Sequence, residues 1–315
     1  QRYPKTNGYI NFTGPAGGGS KTEGYGTNSS PQYIYMRGGI HVADDMSTKP
    51  LYKTFDKSVI YDSNKKRVSS LKLDLSNGIT TEFWLKKAQF DNSQTEKEVI
   101  LDLWNSELSS SSNYGRFTLA LSGTADGENT FIITIQSGTV GFYEQSIGTS
   151  TVTTSSLSDW HHYALSFISA SNGVTSRIYV DGDLNQKKSL GSSGVNEIEG
   201  LINGYIGALQ TAPSGNVFHG VDLTAAGTLS ASLDDFRFWK TRRTSKEIYN
   251  NWYQHVGGGT NTDDSNINLG VYYKFNEGIV GNNTTDSVIL DYSGRLVNGT
   301  WTGYTSGMRS TGSAF

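Results

Sequence analysis

The feature that most constrains this chain is the two-residue period of its apolar runs. Short segments rich in β-branched and aromatic residues recur along it, each broken by a cluster of Gly, Asn, Asp or Ser. Gly78-Ile-Thr-Thr-Glu-Phe-Trp-Leu85, Phe117-Thr-Leu-Ala-Leu121, Thr130-Phe-Ile-Ile-Thr-Ile135, His162-Tyr-Ala-Leu-Ser-Phe167 and Arg177-Ile-Tyr-Val180 are examples. Successive side chains of a strand point to opposite faces. Ile79, Thr81, Phe83 and Leu85 therefore share one face, opposite Thr80, Glu82 and Trp84. By the same rule Trp160, His162, Ala164 and Ser166 lie opposite His161, Tyr163, Leu165 and Phe167. Asp181-Gly182 between two runs is a two-residue hairpin signal, with Gly supplying positive φ. Helical spacing is scarce. Its one good candidate is residues 244–253, where Thr244 and Glu247 have the spacing of a capping box and Ile248, Trp252 and Tyr249 would share a face. Many short strands, Gly-rich turns and one short helix predict an all-β fold, a two-sheet antiparallel sandwich.

Composition narrows the remaining classes. The 315 residues hold no Cys, which excludes a disulfide scaffold, a thiolate zinc site and a cysteine nucleophile. A net charge of −3 lacks the electrostatic footprint of a nucleic-acid binder. No apolar run approaches the ~18 residues of a membrane span, so no membrane insertion is expected. Residues 1–6 lack the apolar stretch of a signal peptide. Aromatics at 12% exclude a disordered composition.

Three stretches divide the chain. Residues 1–30 contain Gly14-Pro-Ala-Gly-Gly-Gly-Ser20 and read as a Gly-rich extension or linker. Residues 31–254 hold most strand signals, and residues 255–315 follow a second punctuation at Gly257-Gly-Gly-Thr-Asn261. In the tail, Leu269, Val271, Tyr273 and Phe275 alternate as an apolar set that needs burial. Residues 56–62 and 286–291 echo one another; as a duplication, the echo makes the tail the start of a second similar unit.

Thr81-Glu-Phe-Trp-Leu85, Asp159-Trp-His-His-Tyr-Ala-Leu165, Arg177-Ile-Tyr-Val-Asp-Gly-Asp183, Gly204-Tyr-Ile-Gly-Ala208 and Leu233-Asp-Asp-Phe-Arg-Phe-Trp239, followed by Lys246-Glu-Ile248, stand in an order that carries a resemblance. It is to laminin-G-like domains of the concanavalin A-like lectin–glucanase superfamily, over about residues 70–254. The resemblance implies a concanavalin A-like jelly roll of two curved antiparallel sheets, but a fold is not a function. Leu269-Gly-Val-Tyr-Tyr-Lys-Phe-Asn-Glu-Gly278, with Leu290-Asp-Tyr-Ser-Gly294 and Asn298-Gly-Thr300, is similar to segments of tailed-bacteriophage structural proteins that carry such domains. That similarity leaves two arrangements: a fragment of a longer protein, or tail strands packed on the first sandwich.

Catalytic patterns are missing. A glycosidase needs two carboxylates across the scissile bond, and the glucanases that the resemblance brings in place Glu, Asp and Glu at alternate positions of one strand. No Glu-x-Asp-x-Glu run occurs; Glu96-Lys-Glu98 and Glu197-Ile-Glu199 are the nearest patterns and read as solvated charge. The Gly-x-Ser-x-Gly elbow of serine hydrolases is also missing. His161 and His162, adjacent on a strand, point to opposite faces and cannot ligate one ion together. Trp239, Trp84, Trp104 and Trp301 could stack on sugar rings, although most Trp of a sandwich pack inside it. Strict alternation places Asp234 with Phe236 and Phe238 on the core face, where a carboxylate must be paired, hydrogen-bonded or metal-bound. The resemblance implies a structural Ca²⁺ at Asp234, an ion suited to hard oxygen ligands; a hydrogen-bonded structural carboxylate is the alternative.

The expected protein is a non-enzymatic, lectin-like virion structural or surface-display component, located at a virion surface or outside cells. Its expected partners are surface glycans, other virion subunits or further copies of itself, and not nucleic acid. A secreted bacterial carbohydrate-binding or adhesin module is the alternative, and a glycoside hydrolase of the same superfamily is disfavoured by the missing acids.

Overall fold

The computed structural model describes residues 8–13, 21–22, 24–26, 30–41, 69–87, 97–123, 131–149, 152, 156–220, 225–256, 268–312 and 314. The residues 56–62 side of the echo, Glu96 and both Gly-rich punctuations, at 14–20 and 257–261, lie outside them. In chain order the strands are β1 (Gly8–Thr13), β2 (Lys21–Thr22), β3 (Tyr25–Gly26), β4 (Tyr33–His41), β5 (Ile79–Lys86), β6 (Lys97–Trp104), β7 (Gly115–Ser122), β8 (Phe131–Ser137), β9 (Val140–Ile147) and β10 (His161–Ala170). They continue with β11 (Gly173–Val180), β12 (Asp183–Leu190), β13 (Gly200–Ile206), β14 (Pro213–Ser214), β15 (Val217–Phe218), β16 (Ser230–Trp239), β17 (Leu269–Tyr273), β18 (Val288–Ile289), β19 (Gly299–Thr302) and β20 (Arg309–Thr311). Two short helices, α1 (Ser245–Asn251) and α2 (Asn283–Asp286), are the α-helical elements among the described residues.

The strands form two large sheets. Sheet A runs β12-β11-β10-β5-β16-β1-β20, with β17 also beside β16; sheet B runs β18-β19-β4-β13-β6-β7-β8-β9. The core lies between them because the two-residue period holds along the central strands. Phe83, Leu85, Tyr163, Leu165 and Phe167 of sheet A meet Leu101, Leu103, Phe117, Leu119 and Ile133 of sheet B in one buried cluster. This is the expected all-β sandwich.

The outer face of sheet B is roofed at its centre. Leu209, Phe218 and Ala226, from the segment between β13 and β16, bury Val99, Ala120 and Ile132. The outer face of sheet A is roofed by α1. Ile248 packs on Ala164 and Tyr179 there, a burial worth about 2 kcal/mol.

Alternation fails at one informative place. In β16, Leu233 pairs with Leu85 and Asp234 with Trp84, but the next pair is Arg237 with Glu82. Asp235, at φ 50°, is the extra residue of a β-bulge that sets two residues opposite one. Leu233 and Phe236 therefore both enter the core, and Asp234 turns to the outer face with Trp84 and Arg237. The expected core-face position of Asp234 is corrected by this bulge.

The tail strands pack on this sandwich. β17 pairs with β16, placing Tyr273 opposite Phe236 and Val271 opposite Phe238. Val271, Tyr273 and Phe275 fill the core, as the alternation required. Leu269 does not join them. A register shift between Phe238 and Trp239 turns it outward, where it packs with Trp239 and Tyr272. β1 lies end to end with β17 along β16 and also holds β20, so both ends of the described chain belong to sheet A.

Candidate functional site

The Asp181-Gly182 turn forms as its sequence predicts. Asp181 and Gly182 take φ of 49° and 87°, and Val180 pairs with Asp183 across the hairpin. Positive φ at both central residues matches the right-handed twist of the two strands. The Asp181 carboxylate is fixed from below: Oδ1 accepts the His162 backbone N–H at 2.9 Å, and Oδ2 stands 2.6 Å from His161 Nδ1.

Helix α1 rises beside this turn. Thr244 caps it and Glu247 answers in a complete capping box. Ile248 points to the sheet, whereas Tyr249 is 58% exposed and does not share its face. Beyond the helix Trp252 folds back, its ring 5.7 Å from that of Trp84 and 6.3 Å from His162. It also closes over Gly182, where a Cβ would come within 2.4 Å of Trp252 Cδ1. Tyr253 stands edge-on to Trp252 and is 51% exposed. Turn and helix end together enclose an open cleft of about 400 Å³, lined by Asp181, Asp183, Tyr249, Asn250, Trp252 and Tyr253.

A buried charge network carries the cleft. Glu82 accepts from Arg243 Nη1 at 2.6 Å and from Arg237 Nη1 at 3.3 Å. Arg237 also binds Asp235 and the Gln254 carbonyl, and Arg243 donates to the Glu247 carbonyl at 3.2 Å. Burial would raise the Glu82 carboxyl, but Arg243 and Arg237 hold it below the usual range. The network ties β5, β16, α1 and the segment after the helix into one support.

His162 is fully buried above Glu82, and burial pushes its imidazole down to about 4, against the pull of Glu82. His161 is partly exposed at the strand's start, so the pair splits between environments as expected. Trp84, Trp104, Trp239 and Trp301 are all buried and offer no stacking face. The two aromatics most exposed among the described residues, Tyr249 and Tyr253, come from the helix candidate, with the half-buried Trp252 beside them. Their signal was three aromatics within five residues, more than one helix face can bury.

Asp234 is not among the residues that line the cleft and bonds instead to the segment at residue 314. Its Oδ1 accepts the Asp235 N–H at 2.8 Å and its Oδ2 the Ala314 N–H at 3.1 Å. Burial raises its carboxyl to about 7, against those two donors. N–H groups around a carboxylate suit a hydrogen-bonded role; they do not fit a Ca²⁺ ion, whose other ligands would be oxygens. Among the described residues no group of three or more His, Asp or Glu is placed to hold a metal.

Comparison with known proteins bears on this architecture. The family model Laminin_G_3, described as the concanavalin A-like lectin/glucanases superfamily, matches residues 62–249. No curated protein matches the chain in sequence. Among solved structures, a Bacteroides ovatus ATCC 8483 protein proposed to bind carbohydrate is 16% identical, with a TM-score of 0.47 over 98% of this chain and 60% of its own. A heptameric SAP-like pentraxin of Limulus polyphemus is 12% identical, TM-score 0.39, over 78% and 81%. The receptor binding domain of botulinum neurotoxin mosaic serotype C/D is 13% identical, TM-score 0.33, over 56% and 36%. The chain thus spans less than two thirds of the first and third of these proteins, and likenesses this distant carry no argument about ligand.

Proposed function

The chain belongs to the concanavalin A-like lectin/glucanases superfamily, and from that premise we propose that it is a non-catalytic glycan-binding module acting through the α1 cleft. The observation that carries the proposal is the pair of tyrosines, each more than half exposed, beside two carboxylates in one cleft. Tyrosine presents an apolar ring for the faces of a sugar and a polar tip for water. Carboxylates and the Asn250 amide supply directional partners for sugar hydroxyls, and about 400 Å³ lies within the range of small-ligand sites.

A binding role is favoured over hydrolysis by the same geometry. Asp181 and Asp183 flank a single turn residue on one wall, rather than facing each other across a bond. Glu82 and Asp235 are buried in ion pairs with arginine. Display at a virion surface or outside a cell fits this reading, since surface glycans are met there. Contacts with other virion subunits or with further copies of the chain belong to the same display role.

A glycan array with wild-type protein and Tyr253→Ala tests the reading. Selective wild-type binding that the variant loses is expected. Absence of binding to every glycan, or binding unchanged in Tyr253→Ala, would refute the cleft as the site. A reducing-sugar assay on polysaccharides should stay at blank.

A further inference from the structure

Resting on that glycan reading, we infer that the cleft selects glycans carrying a protonated amine, such as de-N-acetylated hexosamines, over neutral or acidic ones. The argument is charge complementarity. The six lining residues include two carboxylates and no Lys, Arg or His. Asp181 is held by the His162 N–H and His161, so its position is set before any ligand arrives. Asp183, two residues on, is exposed and has no ion-pair partner among the described residues. Lys246, one turn before Tyr249 and Asn250 on α1, lies outside the lining. An anionic sugar entering here meets two carboxylates and no Lys, Arg or His in the lining; His161 stands behind Asp181, which leaves Asp183 as the carboxylate with no cation against it among the described residues.

The aromatics point the same way. Tyr249, Trp252 and Tyr253 surround the same space, and an ammonium near aromatic faces is attracted by their negative π-clouds. An amino sugar meets both requirements at once. Its ring carbons pack on tyrosine, and its ammonium donates to Asp183 and Asp181. N-acetylation removes the charge and adds bulk, so it cancels the electrostatic gain while leaving the stacking. For a partly exposed charge pair with an aromatic contribution, a preference of about tenfold is the expected size.

Calorimetric titration with the β-1,4-glucosamine hexamer, its fully N-acetylated counterpart and sialyllactose, at a pH where the amine is protonated, tests this. Wild type should bind the free-amine hexamer about tenfold more tightly than the acetylated one, and sialyllactose least. Asp183→Asn keeps the turn and removes one charge; it should bring the two hexamers to within about threefold. Added salt should weaken the free-amine complex more than the acetylated one. Equal wild-type affinities for the two hexamers, or a preference kept in full by Asp183→Asn, overturn the amine selectivity and leave glycan binding standing. Free-amine binding that Tyr253→Ala does not reduce marks general attraction to an acidic protein and also overturns it. No binding to any of the three, together with a blank glycan array, refutes the glycan reading itself.

Discussion

Neither nitrogen of His162 has a hydrogen-bond partner, although the ring is fully buried. Such a group is neutral in the native state, and its cost appears on acidification. Below 6.5 the unfolded chain takes up a proton that native His162 refuses until about pH 4, so stability falls across that window. Asp234 acts in the opposite sense. Its native carboxyl, at about 7, binds a proton that the unfolded one, at 3.8, does not, so its contribution rises as pH falls from 7 towards 4. Each contribution amounts to about 2 kcal/mol between pH 7 and 5. Urea unfolding at these two pH values should therefore find wild type nearly level. His162→Leu should be more stable at pH 5 than at pH 7, and Asp234→Asn less. Identical pH dependence in all three proteins would refute both assignments. Gly182→Ala is a second residue-level test. Positive φ and a Cβ 2.4 Å from Trp252 Cδ1 predict a loss above about 1 kcal/mol, with a shift in tryptophan fluorescence as Trp252 is displaced. An unshifted emission spectrum and an unchanged melting temperature would contradict this account.

At the scale of elements, α1 is seven residues long and too short to persist in isolation. It is held by its capping box, by Ile248 and by the arginines beneath it. Thr244→Ala removes the cap and should cost about 1 kcal/mol by urea unfolding. Arg237→Met is a harsher test. It strips Asp235 of its guanidinium and leaves Glu82 with Arg243 alone, both carboxylates still fully buried. Breaking a buried pair from one side costs about 3–5 kcal/mol, and losses of that size are expected by the same measurement. A variant within 1 kcal/mol of wild type would mean that water or neighbouring groups replace the pairing. The bulge at Asp235 has a structural use here. It turns Asp234 outward beside Asp235 and Arg237, which alternation would not do; of the three, Asp235 and Arg237 pair with each other in the support of α1.

At the scale of the whole molecule, the strands after residue 268 are integral to both sheets. β17 covers an edge of β16, β19 pairs with β4, and Tyr273, Phe275, Trp301 and Met308 fill core space. A chain ending at residue 268 should expose that edge and those cavities and fail to yield soluble, folded protein, whereas the full chain should melt in a single calorimetric transition. Soluble truncated protein with a sharp transition of its own would overturn this view. Much of the fold was legible beforehand. Phe83, Leu165 and Phe167 follow strict alternation, Asp181-Gly182 states its turn, Thr244 and Glu247 state their cap, and the apolar set around Val271 demands a partner sheet. These features are local: a period of two, a glycine at positive φ and a capping pair depend on residues within a few positions of each other. What was not legible depended on contacts distant in sequence. The outward turn of Asp234 needed the register between β16 and β5, which no single strand reveals. The burial of Trp84 and Trp239 needed α1 and the tail to cover a face that alternation alone leaves open to water. The cleft exists because a hairpin turn at Asp181 and a helix end at Trp252, some seventy residues apart, meet on the same side of sheet A. Local patterns in the chain determine which residues alternate, turn and cap; only packing between remote elements decides which outward-facing residues remain exposed to meet a ligand, because exposure belongs to what covers a face and not to the strand that bears it.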